Sequence, residues 1–206
     1  MAQMYKVFVK DVAIIVTSNR EDYPDYEVFS LKDVDLLKII KKIEKGKLKK
    51  VLLYSKNKKK LLKHLHKKLP LVKAGGGLVM NKENKFLFIH RNGKWDLPKG
   101  KANRFEGMRK TAKREIEEET GARKLKIVEK LGRTYHVFNR KSTLKLKLTH
   151  WYLLETNYNG RLVPQEEEGI DIATWLNQQE AEKALESSYS NIKELFPSQT
   201  LNFKRR

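Results

Sequence analysis

Cysteine is absent from the 206 residues, which excludes disulfide scaffolds, cysteine nucleophiles and thiolate zinc sites together. Proline and glycine are scarce, at 5 and 11, so neither a collagen-like nor a low-complexity chain fits. Acid is in short supply as well. Asp and Glu number 25 against 45 Lys and Arg, a formal net charge of +20, which bears on partners rather than fold and points to something polyanionic. Long apolar runs are also missing. The longest near the start, residues 12–16, falls far below the ~20 residues of a membrane span, and no basic-then-apolar leader precedes it. No membrane association is expected, and a cytoplasmic location is the default.

With 39% hydrophobic and 9% aromatic residues, the chain has enough apolar surface for a core. Its length allows one ordinary domain with a small companion. Lysine marks the division: residues 41–68 carry 13 Lys and a single acid, Glu44. Strands are predicted over 5–9, 12–17 and 51–54, with helices over 34–45 and 58–69, and Pro70 closes the unit. One stripe joins Leu36, Ile39, Ile40 and Ile43 and another Leu61, Leu62, Leu65 and Leu69, so the lysines fall on outward faces. They form either a solvated surface or a face for a polyanion such as nucleic acid. His64 and His66, two apart on a helix, read as surface residues. The reading is therefore a small Lys-rich α/β domain over 1–70 and a second domain over 71–206.

Residues 74–79 and 85–91 begin the second domain as short strands with a turn at Asn92-Gly93. The run Gly75–Gly77 has no Walker lysine after it, so close backbone packing in a sheet is the expectation. Residues 104–120 carry helical spacing, with Phe105, Met108, Ala112 and Ile116 on one face and Gly121 as a left-handed C-terminal cap. Continuing that stripe from Met108 reaches Ala112, Glu115 and Glu119, two carboxylates at core-facing positions with Glu118 beside them. A helix end disfavours negative charge by ~0.3 to 1 kcal/mol per group, so local stability does not select this arrangement. Carboxylates converging from one face suit a hard divalent cation such as Mg²⁺ (or Mn²⁺). The competing reading is a solvated acidic face.

Gly100, Glu106, Arg114, Glu115, Ile116, Glu118, Glu119, Gly121 and Ala122 occupy every fixed position of G-x5-E-x7-R-E-U-x-E-E-x-G-U, where U is apolar. This pattern resembles the box of the Nudix hydrolases, and Trp95-Asp96-Leu97-Pro98-Lys99-Gly100 is similar to the segment leading into it. The resemblance implies an α/β/α sandwich with a mixed sheet and hydrolysis of a nucleoside diphosphate linked to another group. It further implies metal binding or water activation by Glu115, Glu118 and Glu119, coordination by the Gly100 carbonyl, and a brace of Glu106 with Arg114. Which glutamate is the base stays open. Residues 166–168 precede a predicted strand over 170–175, similar to the loop that supplies an extra acid in many such enzymes, so Glu167 or Glu168 is an auxiliary base or ligand. An exposed loop is the alternative.

For substrate recognition, residues 144–154 alternate, with Leu144, Leu146 and Leu148 on one side and Lys145, Lys147, Thr149 and Trp151 on the other. The second side would offer lysines to a phosphate chain and an aromatic ring to a base. Arg91, Lys99, Lys101 and Arg104 flank the box as further phosphate candidates. Tyr135, His136 and Phe138 form either a pocket wall or core. Two functions remain: a metal-dependent hydrolase acting on a strongly anionic phosphoanhydride (a dinucleoside polyphosphate, a diphosphoinositol polyphosphate or an RNA 5′-triphosphate end), and a ligand-sensing or nucleic-acid-binding regulator on the same fold.

Overall fold

The computed structural model describes residues 3–140, 143–196, 201 and 203. Contacts divide the chain into two compact units, residues 1–72 with 135–148, and residues 73–134 with 149–206. The sequence division at 70 thus meets a difference at 135–148, a stretch it assigned to the second domain. Among the described residues no helix is long and apolar enough to cross a membrane.

In the first unit β1 (Met4–Val9) and β2 (Val12–Thr17) form an antiparallel hairpin, followed by β3 (Glu27–Ser30), α1 (Leu36–Glu44), β4 (Val51–Tyr54) and α2 (Leu61–Lys68). Strands β2 and β3 each pair with β4 in parallel. The short edge strand β3 has no counterpart in the sequence reading, because four residues with one apolar pair give no periodicity. Asp35 caps α1 by accepting from the Lys38 N–H. The predicted leucine and isoleucine stripes are buried against Val7, Ile14, Val16, Val51 and Leu53. Tyr135, Val137, Leu146 and Leu148 join this same core, which is why 135–148 belongs here. His64 and His66 are half-buried rather than on the surface.

The second unit contains β5 (Leu71–Met80, from Lys73 on), β6 (Phe86–Arg91), β7 (Lys94–Asp96), β8 (Lys99–Lys101), α3 (Met108–Thr120), the outer parts of β9 (Lys126–Arg140) and β10 (Thr143–Glu155), β11 (Ile170–Leu176), α4 (Gln178–Glu186) and the single turn α5 (Ser190–Lys193). The strand order is β11-β6-β5-β10-β9. Alternation along the strands separates two apolar layers. Val79, Leu87, Tyr152 and Leu154 face Ala112 and Ile116 of α3. Leu78, Met80, Phe86, Phe88, Trp151 and Leu153 face Ala181, Ala184 and Leu185 of α4. A mixed sheet between helices is the result, as the resemblance implied.

Trp151 is 0% exposed and its indole N–H donates to the Thr134 hydroxyl at 2.8 Å. The expectation of a base-stacking ring there is overturned: by residue 151 both faces of the strand are covered. Helix α3 also starts later than the spacing suggests. Phe105 is 93% exposed with φ of 64°, outside the helix.

Candidate active site

The box residues gather where β8, α3 and two loops of the second unit meet. Strand β8 pairs with β5 through Gly75↔Gly100. A Cβ on Gly75 would lie 2.8 Å from the Ala112 nitrogen and the Met108 oxygen, so the glycine lets α3 rest directly on the sheet. This is the close backbone packing expected of the glycine run. A Cβ on Gly100 would fall inside the Glu115 carboxylate. The missing side chain at 100 is therefore the space in which Glu115 lies.

One half of the box is fully paired. Arg114 Nε and Nη2 donate to the two oxygens of Glu106 at 2.9 and 2.8 Å, the bidentate geometry a guanidinium favours. The Asn103 N–H and Thr111 hydroxyl donate to Glu106 Oε2 at 3.0 and 2.9 Å. Arg114 Nη2 also donates to the Lys101 carbonyl at 3.0 Å, which ties the loop over 101–106 to the helix. The Arg114 hydrogen bonds hold the Glu106 carboxyl down at about 2. The brace implied by the resemblance has this geometry.

The other half is short of positive charge. Glu119 is 2% exposed; its Oε2 accepts from the Lys99 N–H at 2.8 Å, and Arg91 Nη1 stands 3.7 Å from Oε1. Burial pushes its carboxyl up to about 7, against the pull of Lys99 and Arg91. Burial likewise raises Glu115, although Arg114 opposes it. Glu118, half-exposed, accepts from Arg114 Nη1 at 2.7 Å, and the same Nη1 is 2.7 Å from Glu115 Oε1.

The three carboxylates therefore do not converge as the spacing suggested. Among the described residues no three acidic, histidine or cysteine groups are gathered closely enough to hold an ion. Arg114 stands between Glu115 and Glu118 and supplies charge there.

The loop after β10 reaches the helix end through the Val163 N–H on the Thr120 carbonyl at 2.9 Å and the Gln165 N–H on the Glu119 carbonyl at 3.2 Å. It leads into a single 3-10 turn, Glu166–Glu168, exposed throughout. Glu168 is the member of that turn whose charge raises Glu115.

The other candidates divide. The Lys99 ammonium pairs with Asp96 and donates to the Leu97 carbonyl at 3.3 Å. It is committed to a buried acid and not turned out toward a phosphate; what Lys99 gives the site is its N–H. Arg91 is the neighbour of Glu119. Lys101 has an exposed side chain. Lys145, Lys147 and Tyr135 belong to the first unit. Tyr135 is a core residue, edge-on to Tyr5 at 5.7 Å, so the pocket-wall reading yields to the core reading; Lys147 lies over the Phe138 ring at 5.0 Å. Sequence reasoning missed Asp96, although Asp96 and Lys99 stand three apart in the segment leading into the box. It also missed Thr111, on the buried side of α3.

A family model of the NUDIX domain matches residues 70–197. Solved structures similar to this chain include a MutT protein from Methanosarcina mazei Go1, at 20% identity over 64% of this chain and 94% of that one, TM-score 0.49. A C. elegans Ap4A hydrolase binary complex is 22% identical over 62% of this chain and 96% of that one, TM-score 0.46. The E. coli ORF135 protein is 18% identical over 63% and 91%, TM-score 0.45. The chain belongs to the Nudix family. It is a pyrophosphohydrolase of that family's type.

Proposed function

We propose that the protein hydrolyses a phosphoanhydride linkage in a strongly anionic substrate, with a divalent cation such as Mg²⁺ or Mn²⁺ as cofactor. The observation that carries this reading is the charge deficit at Glu119 and Glu115. Two carboxylates are held out of water with less positive charge than their burial calls for, and an added cation offsets that cost. The donor chemistry suits a hard ion, since Glu115, Glu118, Glu119 and the Gly100 carbonyl present oxygen only, although Glu115 and Glu118, both on Arg114 Nη1, would have to turn from it to share one. When bound, such a cation lowers the pKa of water and neutralises charge on a phosphoryl oxygen.

The chain's own groups supply the rest. The Lys99 N–H and Arg91 fix the Glu119 carboxylate. The Glu106–Arg114 brace holds the loop over 101–106 against α3, and with it the Gly100 carbonyl. Glu115 or Glu119 takes a proton from the attacking water, since burial has already raised both. Glu168, across the loop, is the auxiliary acid, with Glu167 beside it. Arg91 and Lys101 attract the phosphate chain.

A panel of ADP-ribose, a diadenosine polyphosphate, a diphosphoinositol polyphosphate and triphosphorylated RNA, each with Mg²⁺ or Mn²⁺ and resolved products, tests this. The polyphosphorylated substrates should show the higher kcat/KM, by an amount that shrinks as salt rises. A preference for ADP-ribose that survives Lys145→Met with Lys147→Met eliminates the substrate class and leaves the reaction standing.

A further inference from the structure

Away from the carboxylates, the second unit carries cations of another kind. Arg109, Lys110 and Lys113 of α3 and Lys126 of β9 line, with Ile127, a depression of about 450 Å³. No acid and no aromatic ring is among the lining residues. Further along β9 and its neighbours, Lys130, Arg133 and Lys73 lie close enough to His150 that each, after burial, lowers its pKa. None of these seven Lys and Arg side chains makes an ion pair among the described residues. In the box, by contrast, Arg91, Lys99 and Arg114 all face carboxylates. Like charges gathered in one depression repel one another and favour an anionic ligand.

Its position separates it from the reacting groups. On α3, at 100° per residue, Arg109 and Lys113 lie on the flank turned away from Glu115 and Glu118. A single strand of nucleic acid is gripped by stacking its bases on aromatic rings, and the depression has none. A duplex presents a rigid lattice of phosphates that charge alone can read.

We infer that the depression lined by Arg109, Lys110, Lys113 and Lys126 binds the phosphate backbone of a nucleic-acid duplex, independently of the hydrolytic site. Binding is independent of base sequence and steeply salt-dependent, because phosphates neutralised by these cations release counterions.

The test uses the full chain and a 5′-hydroxyl DNA duplex of about 20 base pairs, which offers no phosphoanhydride, read by fluorescence anisotropy without divalent cations at about 50 and about 200 mM salt. Arg109→Glu with Lys113→Glu should weaken binding at least about tenfold and flatten the slope of log K against log salt by about 2, at ~0.9 per lost phosphate contact. Lys58→Glu with Lys59→Glu, the same charge change on exposed lysines of the first unit, should stay within about twofold of the parent. Should the first pair misfold by circular dichroism, the neutral pair Lys110→Ala with Lys126→Ala carries the same test, with a smaller loss of the same sign. Equal losses for both regions would mean that only net charge matters and would overturn the assignment. So would tighter binding of a single strand, an inorganic polyphosphate chain or anionic lipid vesicles than of the duplex.

Discussion

The two ends of one helix treat the same side chain in opposite ways. Glu106, just before α3, receives two bonds from Arg114, one from a hydroxyl and one from a backbone N–H, and its carboxyl sits at about 2. Glu119, in the last turn of α3, receives one backbone N–H and a distant guanidinium, and its carboxyl sits at about 7. Neither value follows from the residue type, since a free glutamate titrates near ~4.3. The first arrangement fastens a loop to a helix. The second keeps a buried carboxylate short of compensation, which a fold built only for stability would avoid.

Breaking each end in turn gives the largest contrast. Glu119→Gln keeps the volume and removes the charge, so turnover should fall by roughly 10²- to 10⁴-fold while the melting temperature at neutral pH and no added metal stays level or rises. Glu106→Gln should do the reverse, costing about 1–3 kcal/mol in urea unfolding because Arg114 loses a charged partner, with a smaller loss of rate. Steady-state kinetics and denaturation on both variants decide it. A Glu119→Gln protein with near-normal turnover in limiting Mg²⁺ removes that residue from the chemistry.

The legible parts of the molecule were those with a period or a fixed spacing. The α1 and α2 stripes, the Gly121 cap with φ of 72° and the close packing of the glycine run follow from local rules, and the Glu106–Arg114 pair was implied by the family resemblance. Three features did not, each for a non-local reason. The split at 135–148 depends on which core accepts Tyr135 and Leu146. The ring of Trp151 is hidden because a second layer, α4, covers its face. The Lys99 ammonium is taken by Asp96, and nothing in a lysine near a box says whether an acid already holds it. Spacing put the carboxylates on one side of α3 but could not show that Arg114 would stand between two of them.

The same contrast should appear as two opposed pH effects on stability without metal. Glu119 has a folded value raised from the ordinary range to about 7, so between about 4.5 and 7 the unfolded chain has lost a proton that the folded chain keeps. The unfolded state binds fewer protons there, and stability must fall as pH rises through that window, by up to ~3 kcal/mol. Glu106 is lowered to about 2, so its contribution is present above the ordinary carboxylate range and disappears as pH falls toward 2. Urea midpoints from pH 4 to 8, with and without Mg²⁺, check the sign. Mg²⁺ should restore most of the loss near pH 7, and Glu119→Gln should flatten the slope; a slope that the substitution leaves unchanged belongs to another group.

The smallest expected effect concerns the loop facing the under-compensated end. Glu167 and Glu168 are neighbours in one exposed 3-10 turn, and sequence alone gives no reason to prefer either. The structure singles out Glu168, whose charge is among the causes that raise Glu115. Removing that charge relieves the repulsion, so Glu168→Gln should lower the Glu115 carboxyl and shift the acidic limb of the kcat/KM profile to lower pH. If Glu168 also assists the water, its rate should fall about tenfold or more. Glu167→Gln should leave the profile in place and the rate within about twofold, as for an exposed charge screened by solvent. Matching profiles for the two variants would mean that the loop acts only as a diffuse negative surface and that the auxiliary acid lies elsewhere.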